Sequence, residues 1–146
     1  MHLSNKDYVE RIGAATRLGL LNITFELLLH HIDEAKKAND EVDFKTHIKN
    51  ASAFMMELMT TLDMSYELSL DYMSLYIYAN KLLLQAVRKF NQSRMVEKEI
   101  ALEEAGKIVT SISESFSEFG KEFEELESSK FEELNVSEDA GYYQST

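Results

Sequence analysis

The stretch LSLDYMSLYIYANKLLLQAV, Leu68 to Val87, decides how this chain folds. It holds no proline and no glycine, and its apolar residues recur at three- and four-residue steps, the pattern of an α-helix. Leu70, Met73, Ile77, Leu84 and Val87 fall on one stripe. Tyr72, Tyr76, Ala79, Leu83, Ala86 and, just beyond, Phe90 fall on a second. A surface helix of a globular protein buries one such stripe. Two stripes belong either to a helix with two neighbours or to one that keeps a face for a partner.

The same periodicity extends in both directions. Upstream, Phe44, Ile48, Ala51, Met55, Leu58 and Leu62 alternate steps of four and three, the seam of an antiparallel bundle. This spacing predicts a helix over 44–62 with Asp43 as its N-cap. Before it, Leu21, Phe25, Leu28, Ile32 and Ala35 predict a helix over 16–38, capped by Thr16 and closed by the turn signal Asn39, Asp40, Glu41. The opening stretch follows the short connection Asp63 to Tyr66, with Ser69 as its N-cap. A fourth helix starts after Ser93, its candidate cap, on the stripe Ala101, Ala105, Ile108, Ile112, Phe116, Phe119, Phe123 and Leu126. Gly106 and Gly120 lie inside it, each costing up to about 1 kcal/mol against alanine.

With 0 Pro, 5 Gly and no Asn-Gly or Asp-Gly hairpin signal, the class is all-α. Short connections between long helices predict an antiparallel up-down-up-down four-helix bundle. Residues 1–15, with Leu3, Tyr8, Val9 and Ile12, are expected to lay a short apolar edge onto it. The expected division is a helical domain over 1–130 and a flexible acidic tail over 131–146, where periodicity fades.

At 146 residues a single domain buries enough surface to fold without staples. None is available, because there are 0 Cys, which also removes thiolate metal sites and cysteine nucleophiles. The net charge is −11, and from Arg94 onward 14 acidic residues face 5 basic ones. That balance argues against nucleic acid as a partner. No apolar run is long enough to span a membrane, since Asn22, Thr24 and Glu26 interrupt the longest cluster, and the N-terminus has no signal-peptide pattern. A cytoplasmic location is the expectation.

Catalytic constellations are missing. Glu26 and His30 share a helix face, and His31, Asp33 and Glu34 lie beside them. Carboxylate-bridged metal bundles need Glu-x-x-His twice, and it occurs nowhere in the chain. No phosphate loop, Gly-x-Gly-x-x-Gly or His-Glu-x-x-His is present. The serines at 111, 113, 115 and 117 sit in no strand-turn-helix elbow. The chain is read as a non-enzyme with no catalytic, metal or cofactor site.

What remains is surplus apolar surface. Tyrosines 72, 76 and 78 pair apolar bodies with polar tips, which suits a surface that is sometimes covered and sometimes wet. Met55, Met56, Met59, Met64 and Met73 gather on the adjoining segments, and methionine suits surfaces that accept helical ligands. A groove between helices that takes an amphipathic segment is the functional reading.

The residues that carry this surface also carry a resemblance. Lys49 to Ala86 holds Ala51, then Glu57 with Leu58, Thr61 with Leu62, Glu67 with Ser69, and the string Leu75, Tyr76, x, Tyr78. In that order they resemble the FliS family of flagellar secretion chaperones. Ala15, Thr16, Leu20 and Phe25 resemble its first helix, and Tyr8 an N-terminal family tyrosine. Arg17 stands where the family usually has proline, Gly19 where it has glutamate, and Leu27 where it has glycine. The resemblance covers roughly residues 5 to 125. It implies a cytoplasmic chaperone that wraps the disordered C-terminal segment of flagellin and prevents premature polymerisation. It places partner binding on Tyr8, Ile12, Phe25, Ala51, Leu58, Leu62, Leu75, Tyr76 and Tyr78. It leaves contact with the flagellar export gate, and a monomer or weak homodimer, as further expectations. The competing reading is a helical adaptor or self-associating bundle with no flagellin client.

Overall fold

The computed structural model describes residues 17–118. Three helices are α1 (Arg17–Lys37), α2 (Glu41–Thr60) and α3 (Glu67–Asn91). A fourth, α4, covers 95–118. The described residues contain no strand. The compact unit that holds the bundle ends at Ser113. The N-terminal edge with Tyr8 and Ile12, the Thr16 cap, the Phe119, Phe123 and Leu126 end of the stripe, and the 131–146 tail all lie outside the described residues.

Side-chain pairs set the arrangement. On α2 and α3 the rings of Phe44 and Phe90 stack at 4.2 Å, and Ser52 Oγ donates to Asn80 Oδ1 at 3.3 Å. Rising numbers on one helix meet falling numbers on the other, so the pair is antiparallel. On α3 and α4, Lys89 bonds Glu97 at 2.9 Å and Tyr78 Oη donates to Glu104 Oε1 at 3.1 Å. On α4 and α1, Lys98 Nζ donates to the Ala38 carbonyl at 2.7 Å, and Lys36 approaches Glu103 at 4.0 Å. A short turn joins α1 to α2, and His31 meets His47 across them. The result is a four-helix bundle with up-down-up-down order, as the periodicity predicts.

The core confirms most of the stripes. Phe25, Leu28, Ile32 and Ala35 are buried from α1, and Phe44, Ile48, Ala51, Met55 and Leu58 from α2. On α3 the buried stripe is Tyr76, Ala79, Leu83, Ala86 and Phe90. On α4 the face is turned from the expected one. Leu102 and Val109 are buried with Ala101, Ala105 and Ile112, while Ile108 is only half-buried.

The helix ends differ from expectation in three places. The N-cap of α2 is Asp40, whose Oδ2 accepts the Asp43 backbone N–H at 3.0 Å. Two aspartates three apart compete for one role, and the first takes it because its backbone is extended, which places Asp43 inside the first turn. Ser69 does not cap α3, which begins after Tyr66. It is buried and ties its Oγ to the Asp63 carbonyl at 2.6 Å, bracing the α2–α3 connection. Ser93 does not cap α4. It stands at φ 60° and closes α3, with Ser93 N–H bonded to the Phe90 carbonyl at 3.0 Å and Arg94 N–H to that of Lys89 at 2.8 Å. Those bonds make a Schellman ending, a position that favours glycine.

Candidate functional site

Once the Tyr76–Phe90 stripe of α3 is spent on the core, the other stripe is left outside. Leu70, Ile77 and Leu84 are 58%, 44% and 55% exposed, and Met73 and Val87 are half-buried beside them. A spacing of seven residues is two helical turns less about 20°, so the three form one line about 21 Å long. Asn80 lies one turn from both Ile77 and Leu84 and is bonded to Ser52, so the line runs beside α2. Met56, one turn after Ser52 and 61% exposed, stands level with Ile77. The arrangement is an open apolar groove, with α2 on one side and α3 on the other. Large unpartnered side chains in a row mark an interaction surface rather than a reaction centre.

The residues expected at the partner surface separate into three groups. Phe25, Ala51, Leu58 and Tyr76 lie in the core, each no more than 1% exposed. Burial first, and the neighbouring Tyr72 second, push the Tyr76 hydroxyl well above the usual tyrosine range. Leu75 and Tyr78 are exposed, and Leu62 is half-buried in the connection after α2. Leu75 lies on the opposite shoulder of α3, in line with exposed Leu68 before it and buried Leu82 after it. The Tyr78 hydroxyl is tied to Glu104, which raises its pKa. Tyr8 and Ile12 lie outside the described residues. The line Leu70, Ile77, Leu84 was legible as a stripe, but Tyr76, Leu83 and Phe90 recur at the same seven-residue spacing, so no signal within the segment says which of the two stays exposed.

A second cluster lies across α1 and α2. His31 and His47 bring their Nδ1 atoms to 3.0 Å, His30 packs 5.2 Å from His31 ring to ring, and His31 stacks on Phe54 at 5.8 Å. His47 Nε2 faces Asp43 Oδ1 at 3.3 Å. Of the two facing Nδ1 atoms one donates and the other accepts, with the roles set by the tautomers of the rings. Among the described residues no group of three His, Asp or Glu side chains is placed to hold a metal ion. No described helix is long and apolar enough to cross a membrane.

The family model described as Flagellar protein FliS matches residues 2–122. No curated protein matches the chain.

Proposed function

The chain belongs to the FliS family of flagellar proteins, a family of export chaperones, and from that premise we propose that it binds the C-terminal segment of flagellin in the cytoplasm. Binding keeps the segment from polymerising before export. The observation that carries this reading is the exposed row Leu70, Ile77 and Leu84 with Met56 beside it, on helices that have already satisfied their core. An apolar row of this kind accepts the face of an amphipathic helix, read as anchors at helical spacing. The chain needs no catalytic group for such work.

A disordered client must order itself on binding. That typically costs about 2–5 kcal/mol and accompanies burial of about 1,000–3,000 Å². A groove along most of α3 supplies area of that kind better than one small pocket. In this reading Leu75 and Tyr78 offer a second line of contact. The buried Phe25, Ala51, Leu58 and Tyr76 act through the shape of the wall behind the groove. In this reading Tyr8 and Ile12 add to the client contacts, and the export gate is a further partner. The chain acts as a monomer or weak homodimer.

Calorimetric titration with the C-terminal segment of a flagellin from the same genome tests this. One-to-one binding with a negative heat-capacity change is expected. Absence of binding to every flagellin of that genome would overturn the client assignment and favour an adaptor bundle.

A further inference from the structure

The charge of the groove is opposite to that of the chain. The protein carries 26 acidic residues and a net charge of −11. Yet α2 has no Asp or Glu from Phe44 to Met56, and α3 has none from Tyr72 to Asn91. These two acid-free stretches are the ones that face each other, with Phe44 level with Phe90 and Ser52 level with Asn80.

The basic residues of these stretches are concentrated at one end. In this antiparallel register Lys49 stands level with Leu84, and Lys45 near Arg88. Lys81 lies one turn beyond Ile77, and Arg88 one turn beyond Leu84. All four are exposed. Lys45 is paired with Glu41 at 2.8 Å. Lys49, Lys81 and Arg88 form no ion pair among the described residues. A shallow depression lined by α3 alone takes in Lys81, Leu84, Val87 and Arg88, and extends past Leu82 and Gln85 to Tyr78, which bonds Glu104 of α4. At the other end, Leu70, Met73, Ile77 and Met56 present apolar surface with no cation among them.

We propose that the α2–α3 groove takes an amphipathic helix with an apolar stripe and an acidic end, seated with its carboxylates at Lys49, Lys81 and Arg88. The inference rests on the client surface proposed above and adds the charge pattern of the occupant. The apolar anchors hold the helix in the groove, and the basic end fixes which way it lies. Charge complementarity of this kind sets register and encounter rate more than raw affinity. It also repels a segment of the reverse charge, so the groove discriminates among apolar helices.

The test uses the full chain and two synthetic peptides with the same leucine pattern. One carries four glutamates at one end, the other four lysines. At low salt the acidic peptide is expected to bind at least about tenfold more tightly, with the preference shrinking as salt screens the pair. Reversing Lys49→Glu and Arg88→Glu together is expected to invert the order of the peptides. Reversing Lys107→Glu on α4 should leave it unchanged. Equal binding of the two peptides, or an order that the double reversal does not alter, would overturn the inference. So would self-association of the chain through this face, abolished by the double reversal, with neither peptide bound. Flagellin binding without a charge preference would remove this inference and leave the client assignment standing. A strong acidic-peptide preference without flagellin binding would do the reverse.

Discussion

Lys98 brings an ammonium group into the bundle interior, where its residue is fully buried. Its Nζ donates to the Ala38 carbonyl at the end of α1, and lies 5.4 Å and 5.8 Å from the ring centres of Phe44 and Phe90. One side chain of α4 thus touches the other three helices. A cation is favoured over aromatic faces and at the carbonyl end of a helix, which offsets part of the cost of burying it. Burial still holds the Lys98 pKa below the usual lysine range, with Glu99 opposing it weakly. The unfolded chain therefore keeps this proton to a higher pH than the folded one, and stability rises with pH between the two values. Lys98→Met is expected to flatten that alkaline rise, measured by denaturant unfolding at several pH values. Lys98→Ala opens a cavity, leaves a carbonyl without its donor, and should cost about 3 kcal/mol.

His31 gives the opposite pH window. Its pKa is lowered from 6.5 by burial first, then by His30 and His47, with Glu34 opposing. The folded state resists a proton that the unfolded state accepts, so stability is full above 6.5 and falls as pH drops below it. His31→Phe keeps the stack on Phe54 and should remove most of that acid-side loss in thermal unfolding between about pH 5 and 7. An unchanged slope would show that the pair is not the source.

At the scale of elements, two positions depart from ideal helix chemistry. Ser93 occupies the left-handed position of the Schellman ending of α3. A side chain there costs about 1 kcal/mol, so Ser93→Gly is expected to raise stability by somewhat less than that, after the added chain entropy of glycine. Gly106 sits inside α4, where a Cβ would meet Ile32 Cγ2 at 3.8 Å, an ordinary contact. Gly106→Ala should therefore gain about 0.5–1 kcal/mol, read as a shift in the urea midpoint at constant slope.

These elements also show what periodicity could and could not tell. It placed four helices and their order, because steps of three and four recur over many turns and proline is absent. It erred at ends, where one local bond decides. Asp40 and Asp43 are equally good caps in sequence, and only the backbone separates them. It turned α4 because the true buried face runs through Lys98, Leu102 and Val109, and a lysine reads as solvent. The α3 face was ambiguous for a related reason: both stripes are apolar, and the choice depends on where α2 and α4 pack. The partners Phe44, Phe90 and Lys98 are distant in sequence, so no pattern within one segment could join them.

For the whole molecule, the consequence is a division of labour on α3. Its Tyr76–Phe90 face holds the bundle together, and its Leu70–Leu84 face remains open to a partner. Under the proposed function, substitutions on the first are expected to act through stability, and those on the second on binding with the fold intact. The string Leu75, Tyr76, x, Tyr78 contains both kinds, since Tyr76 is interior while Leu75 and Tyr78 are exposed. A Tyr76 variant that lost binding would therefore not distinguish docking from unfolding.

The most direct measurement is calorimetric titration of the double variant Ile77→Ser, Leu84→Ser with the flagellin C-terminal segment, beside the unaltered chain. Both side chains are exposed, so helix content and melting temperature should remain close to those of the parent. Removing two central apolar anchors should weaken binding by about 2–4 kcal/mol, or roughly 30- to 1,000-fold. Retained affinity in a variant that folds normally would contradict the assignment of this face as the docking surface.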